Sequence, residues 1–206
     1  MRPWLISTML PESFSIPDGM LDWFPGFLPS VAADNYFHEL IDHAPWKHEH
    51  VNMYGQRIAV PRLTAWFGDP RATYTYSGIT MTPEPWTPQL LELKSLVEPK
   101  ARGKTFNSVL LNLYRDGNDS VSWHSDDEAE LGTNPVIASV SVGQARTFRL
   151  KHKLDDTIPP VEIELTHGSL LVMSGALQHC WKHQLPKRKS KNLGPRINLT
   201  FRRILG

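Results

Sequence analysis

A chain of 206 residues, 40% hydrophobic and 21% charged, has the length and composition of one folded domain with a sizeable core, which excludes a disordered segment. Its formal net charge of +1 announces no nucleic-acid binder, and no apolar run approaches a membrane span, so no membrane partner is expected. Cys180 is the only cysteine, which excludes an internal disulfide and a cysteine-based zinc cage and fits a reducing compartment.

The N-terminal apolar residues are broken by Pro11 and Glu12, a poor secretory signal. Residues 30–43 read as a helix, with Ser30 as N-cap, Ala33, Phe37, Leu40 and Ile41 at helical spacing, and Pro45 ending the pattern. Residues 51–60 hold the turn signal Tyr54-Gly55-Gln56 between two short segments, which predicts a hairpin. Residues 87–98 read as a second helix, with Thr87 as N-cap, Pro88 at the first helical position, and Leu90, Leu93 and Val97 on one face. Strand-like segments follow at 106–115, 136–142, 146–151, 161–165, 169–174, 179–184 and 196–204. The 17 prolines are spread throughout and punctuate short elements. The pattern predicts a mainly β (α+β) fold, a barrel or jelly roll, with the two early helices buttressing one outer face of a sheet. Two basic runs, Lys187-Arg188-Lys189 with Lys191, and Arg146, Arg149, Lys151 and Lys153, read as solvated surface.

Four constellations carry chemistry. In Trp123-His124-Ser125-Asp126, an extended backbone projects His124 and Asp126 to the same side. An imidazole and a carboxylate so placed, joined by a distant histidine, form the facial triad of non-haem iron(II). The segment His179-Cys180-Trp181-Lys182-His183 offers that histidine twice, since His179 and His183 share a face if it is extended.

The third constellation, Arg196-Ile197-Asn198-Leu199-Thr200-Phe201-Arg202, alternates strictly. Ile197, Leu199 and Phe201 form an apolar face, opposite Arg196, Asn198, Thr200 and Arg202. Arginines turned into a barrel lumen need an anion, and a dicarboxylate gives each guanidinium a carboxylate to grip. Fourth, Asn112 and Tyr114 share a strand face and could donate hydrogen bonds to the same dicarboxylate.

Taken in order, these motifs resemble the AlkB family of nucleic-acid dealkylating dioxygenases, nearest to the animal nuclear homologues that act on double-stranded DNA. The likeness runs from about Val51 to the C-terminus. It includes Tyr-x-Tyr-Ser-Gly at Tyr74, Asn-x-Tyr-x-Asp-Gly at Asn112, His-x-Asp-Asp-Glu at His124 and Ile-Ala-Ser-Val-Ser-x-Gly at Ile137. It continues with His-Gly-Ser-Leu-Leu at His167, His-x-Leu-Pro at His183 and Pro-Arg-x-Asn-Leu-Thr-Phe-Arg at Pro195.

The resemblance implies a double-stranded β-helix within a single domain over 1–206. Residues 1–50 would be an N-terminal extension and helix, 51–78 a nucleotide-recognition hairpin region, and 106–206 the β-helix core. It implies iron ligands His124, Asp126 and His183, the last chosen because it precedes Leu-Pro. Asn112, Tyr114, Arg196, Asn198, Thr200 and Arg202 would hold 2-oxoglutarate, one arginine on the distal carboxylate and the other near the iron-chelating end. A flipped base would meet Tyr76 by stacking, Tyr74 at its backbone or edge, Asp127 facing its positive charge, Ser77 in the pocket and Arg62 at the mouth. The Val51 to Ile58 hairpin would probe the DNA.

The implied activity is oxidative demethylation of 1-methyladenine and 3-methylcytosine in alkylated single- or double-stranded DNA. Fe(II), 2-oxoglutarate and O2 would be consumed or held by this oxidoreductase, with formaldehyde, succinate and CO2 released. The alternatives are an RNA demethylase of the same class and a non-catalytic nucleic-acid binding module. A monomer is expected, cytoplasmic in a bacterium or nuclear in a eukaryote.

Overall fold

The computed structural model describes residues 4–6, 10–53, 56–76, 79–189 and 193–205. In chain order, the strands β1 (Trp4–Ile6), β2 (Glu12–Ile16) and β3 (Gly19–Phe24) precede helix α1 (Ser30–His43). The hairpin β4 (His50–Met53) and β5 (Gln56–Ala59) is followed by β6 (Leu63–Gly68) and a second hairpin, β7 (Tyr74–Tyr76) and β8 (Ile79–Met81). Helix α2 (Pro88–Val97) leads into β9 (Ser108–Tyr114), β10 (Val121–His124), β11 (Ile137–Gly143), β12 (Arg146–His152), β13 (Val161–Leu165) and β14 (Ser169–Ser174). A single helical turn, α3 (Leu177–Cys180), precedes β15 (Trp181–Leu185) and β16 (Arg196–Arg202).

These strands build a major sheet in the order β2-β3-β14-β11-β16-β9-β6 and a minor sheet in the order β1-β13-β12-β15-β10. From β10 to β16 the chain passes repeatedly from one sheet to the other, the winding of a jelly roll. Among the described strands of these two sheets, all ladders are antiparallel except that of β1 with β13.

Two layers of core follow from the alternation. Val109, Leu111, Val140, Ile197, Leu199 and Phe201 face α1 and α2, while Trp23, Leu150, Ile163, Leu171, Met173 and Trp181 pack between the sheets. On α2, Leu90, Leu93 and Val97 are fully buried, each contributing about 1.5–3 kcal/mol of apolar burial. The Thr87 hydroxyl accepts the Leu90 N–H at 3.2 Å, as the cap signal predicts.

Helix α1 starts differently. Its N-cap is Pro29, with no side-chain cap, and Ser30 is the first helical residue. Its buried face is Ala33, Tyr36 and Leu40, with Phe37 and Ile41 half-buried beside them. The helix settles close to β11 because Gly143 ends that strand at φ 89°, where a side chain would meet the Pro195 carbonyl at 2.5 Å and the Phe37 ring at 2.7 Å.

Two further expectations need correction. The segment 179–184 is not one strand, because residues 177–180 form a helical turn and the strand begins at Trp181. Arg146 is not surface: it is 1% exposed and donates to the carbonyls of Asp116, Asp119 and Pro186. Strand β3 goes unseen in sequence because Asp22 interrupts its apolar run. That aspartate is buried, held by two hydrogen bonds from Arg102 and one from Ser13. The predicted turn residues Tyr54 and Gly55, and Lys191 of the basic run, lie outside the described residues.

Candidate metal and dicarboxylate site

Strand β10 pairs with β15 so that His124 lies opposite His183, their ring centroids 4.3 Å apart. Asp126 follows two residues past the end of β10, its Oδ1 3.9 Å from His124 Nε2. One ligand atom from each of the three lies within 4.8 Å of the others. His124 Nδ1 is 2.8 Å from the Ser122 carbonyl, which can only accept. Nδ1 is therefore the donating nitrogen, and Nε2 is the ring atom that faces Asp126.

His183 is 4% exposed, and its Nδ1 has no hydrogen-bond partner among the described residues. Burial pushes its pKa down to about 3, so the ring is neutral near pH 7. Burial acts against the Asp126 carboxylate, but the Arg202 guanidinium, helped by the two histidine rings beside it, outweighs burial and holds the pKa at about 2. Arg202 Nη2 donates to Asp126 Oδ2 at 2.8 Å. Two imidazoles and one ionised carboxylate, with a buried His183 ring nitrogen that has no hydrogen-bond partner among the described residues, are a donor set that would hold a ferrous ion.

The His183 environment makes a pH prediction. An unfolded chain protonates this ring near its ordinary pKa of 6.5, whereas the folded chain resists until about 3. The unfolded state binds more protons across that window, so this contribution to stability is full above pH 6.5 and declines as the pH falls towards 3. Urea unfolding of the metal-free protein at stepped pH should show the decline, and His183→Gln should flatten it.

A second donor cluster, Asp18, His152 and Cys180, converges within the same 4.8 Å limit. Its hydrogen bonds argue the opposite chemistry. His152 Nδ1 accepts the Asp155 N–H at 3.0 Å, so the proton sits on Nε2, 3.3 Å from Asp18 Oδ2. A ring whose lone pair is already spent on backbone is a hydrogen-bonded structural histidine, not a metal ligand.

The cavity beside the triad is lined on the major-sheet side by β9, β11 and β16. Arg196 is its most unusual member. It is 2% exposed, donates to Ser141 Oγ at 2.9 Å and lies 5.3 Å from the Tyr114 ring centroid. Burial drops its pKa to about 10, and the like charge of Arg146 adds to the fall. No carboxylate hydrogen-bonds to it among the described residues. A buried cation without a counter-ion is costly, and an anionic ligand supplies what the protein omits.

The polar residues around it are mutually ordered. Asn198 donates to Ser139 Oγ at 2.7 Å, and Thr200 donates to the Asn198 carbonyl at 2.8 Å. Arg62 Nε donates to the Asn112 carbonyl at 2.7 Å, which leaves the Asn112 amide hydrogens to donate.

The structure thus brings together His124, Asp126 and His183 with Arg62, Asn112, Tyr114, Arg196, Asn198, Thr200 and Arg202 around one cavity. Asp127 is not in its lining, and its carboxylate instead takes Lys153 Nζ at 2.8 Å. His179 sits in the helical turn and accepts the Asn134 N–H at 3.1 Å, away from the triad. Tyr74 and Tyr76 begin and end β7, Arg62 precedes β6, and Ser77 lies outside the described residues. Ser139 and Ser141, which accept from Asn198 and Arg196, are not among the residues the sequence singles out. The signal was present, because Ile137–Gly143 alternates serines with apolar residues as β16 alternates its own polar face.

Two facing sheets that enclose a His-Asp-His triad and a buried arginine define a double-stranded β-helix with a candidate metal and dicarboxylate site. The pattern of the 2OG-Fe(II) oxygenase superfamily matches residues 20–202. Alpha-ketoglutarate-dependent dioxygenase alkB homolog 3 of Bos taurus is 46% identical over 188 residues, covering 87% of this chain and 64% of that protein. DNA oxidative demethylase ALKBH2 of Mus musculus is 43% identical over 182 residues, covering 84% of this chain and 75% of that protein. Among solved structures, OsALKBH1 superposes with a TM-score of 0.64 at 17% identity, covering 89% of this chain and 97% of that one, which shows the shared fold. The chain belongs to the AlkB family of the 2OG-Fe(II) oxygenase superfamily. It spans 63–65% of the length of the alkB homolog 3 proteins it matches. Relatives of two different names stand at similar identity, so the comparisons single out no one branch.

Proposed function

We propose that this chain demethylates alkylated DNA oxidatively, acting on 1-methyladenine and 3-methylcytosine with Fe(II), 2-oxoglutarate and O2. The observation that carries the reading is the pairing of an iron-type triad with a buried arginine that has no acidic partner among the described residues, in one cavity. When bound, iron, 2-oxoglutarate and O2 supply the oxidising power: the keto acid becomes succinate and CO2, taking one oxygen atom, and the substrate methyl takes the other.

The chain's own residues do the rest. His124, Asp126 and His183 would hold the metal, with Arg202 keeping Asp126 ionised. Arg196 would grip the distal carboxylate, with Tyr114, Asn112, Asn198 and Thr200 ordering that end of the cavity. Arg62, Tyr74, Tyr76 and Ser77 would receive the extruded base. Asp127, held by Lys153, would reach it only if that ion pair opened.

Support for nucleic acid comes from the names of the relatives and from exposed charge. Lys151 and Lys182 face one another directly across β12 and β15, an arrangement of like charges that a phosphate backbone relieves. Lys151 also lies 4.9 Å over the Trp123 ring. The protein would act as a monomer, in a eukaryotic nucleus or a bacterial cytoplasm. No described helix is long and apolar enough to cross a membrane.

The test is succinate release from matched single-stranded DNA, duplex DNA and RNA, each carrying one 1-methyladenine. One succinate per base repaired, fastest on DNA, is the expected result. Faster turnover on RNA would move the substrate assignment, and no turnover on any of them would leave a binding module.

A further inference from the structure

Asp126 has a positional problem. His124 and His183 are fixed by strand pairing, but Asp126 stands in the irregular segment after β10, where no sheet ladder holds the backbone. A metal ligand on unpaired backbone needs other anchors if its carboxylate is to be in place before the metal arrives.

The structure provides them from one short stretch, α3 and the first residue of β15. Gln178 is fully buried, and its side-chain carbonyl accepts the Asp126 N–H at 3.0 Å. Because that N–H can only donate, the amide oxygen must be the atom facing it. On one side of Asp126, the Ser125 hydroxyl donates to the Trp181 carbonyl at 2.8 Å. On the other, Lys153 Nζ bridges the Asp127 carboxylate at 2.8 Å and the Gln178 carbonyl at 3.0 Å. Three consecutive residues are thus tied to the segment that runs directly into His183.

We propose that Gln178 is a positioning residue for the metal, fixing the backbone of Asp126 relative to His183. Gln178 touches neither metal nor substrate in this assignment and acts only through Asp126. Arg202 sets the carboxylate and Gln178 sets the main chain that carries it. The inference rests on the triad being the metal site.

The test is calorimetric titration of Co(II) or Mn(II) into protein with saturating 2-oxoglutarate, together with the visible absorption of the Co(II) form. Gln178→Leu removes the acceptor at similar volume, and Gln178→Asn withdraws it by one methylene. Both should weaken metal binding roughly 10–100-fold and alter the Co(II) spectrum. Gln178→Glu keeps an acceptor oxygen in the same place and should restore most of the affinity. Melting of the metal-free variants monitors the fold, and should Gln178→Leu fail to fold, the Asn and Glu variants decide. Parent-like affinity in the Leu or Asn variant would overturn the inference, as would a loss in the Glu variant as large as theirs. A parent protein that binds no metal would instead overturn the iron-site reading itself.

Discussion

Asp126→Ala should abolish metal-dependent turnover. Two imidazoles remain, but the only anionic ligand is gone, and a hard ferrous ion held by two neutral nitrogens exchanges readily. The substitution also removes the carboxylate that Arg202 holds at 2.8 Å. Removing one member of a fully buried ion pair costs about 3–5 kcal/mol. Arg202 keeps 20% side-chain exposure, so the cost here should fall below that range. Both effects are measurable apart. Calorimetric metal titration should show no binding in the range where the parent saturates, and urea unfolding of the metal-free protein should show the destabilisation. Turnover at the parent rate would mean that the triad is wrongly assigned.

Arg196→Met should do two opposite things. If Arg196 grips the distal carboxylate, truncating one partner of a buried charge pair costs roughly 2–5 kcal/mol, or about 30- to several-thousand-fold in the 2-oxoglutarate requirement. The oligonucleotide requirement should change little. Without co-substrate the same change should raise the melting temperature. The lost Ser141 hydrogen bond and Tyr114 contact amount to about 1 kcal/mol each. The desolvation of an uncompensated guanidinium is several kcal/mol in the other direction. A variant more stable than its parent and poorer in 2-oxoglutarate use is the signature of a residue kept for its ligand. Equal effects on both substrates would count against the assignment.

Alternation made the main site legible in sequence. In β16 the period of two separates Ile197, Leu199 and Phe201 from Arg196, Asn198, Thr200 and Arg202, and the structure puts the first set under the helices and the second around the cavity. The same rule brought His124 and Asp126 to one side, although Asp126 turns out to lie beyond the strand. Its place there depends on Gln178, Trp181 and Lys153, more than 25 residues away in the chain, which no local pattern shows. Periodicity could not choose between His179 and His183, because a helical turn displaces one from the strand that carries the other. Arg146 looked like surface charge because its partners are backbone carbonyls, and these leave no mark in a sequence. Asp127 offered a carboxylate of the right charge next to the triad, and Lys153 had already claimed it.

Strand β16 lies between β11 and β9, hydrogen-bonded on both edges. Inserting or deleting one residue within it would slide everything beyond that point to the opposite face. Arginine would then press against the helices and phenylalanine would fill the cavity, so core and chemistry would fail in the same event. Neighbouring loops can vary in length without this consequence. Descendants of this chain can therefore experiment with which residues occupy the seven positions of β16, but not with how many there are.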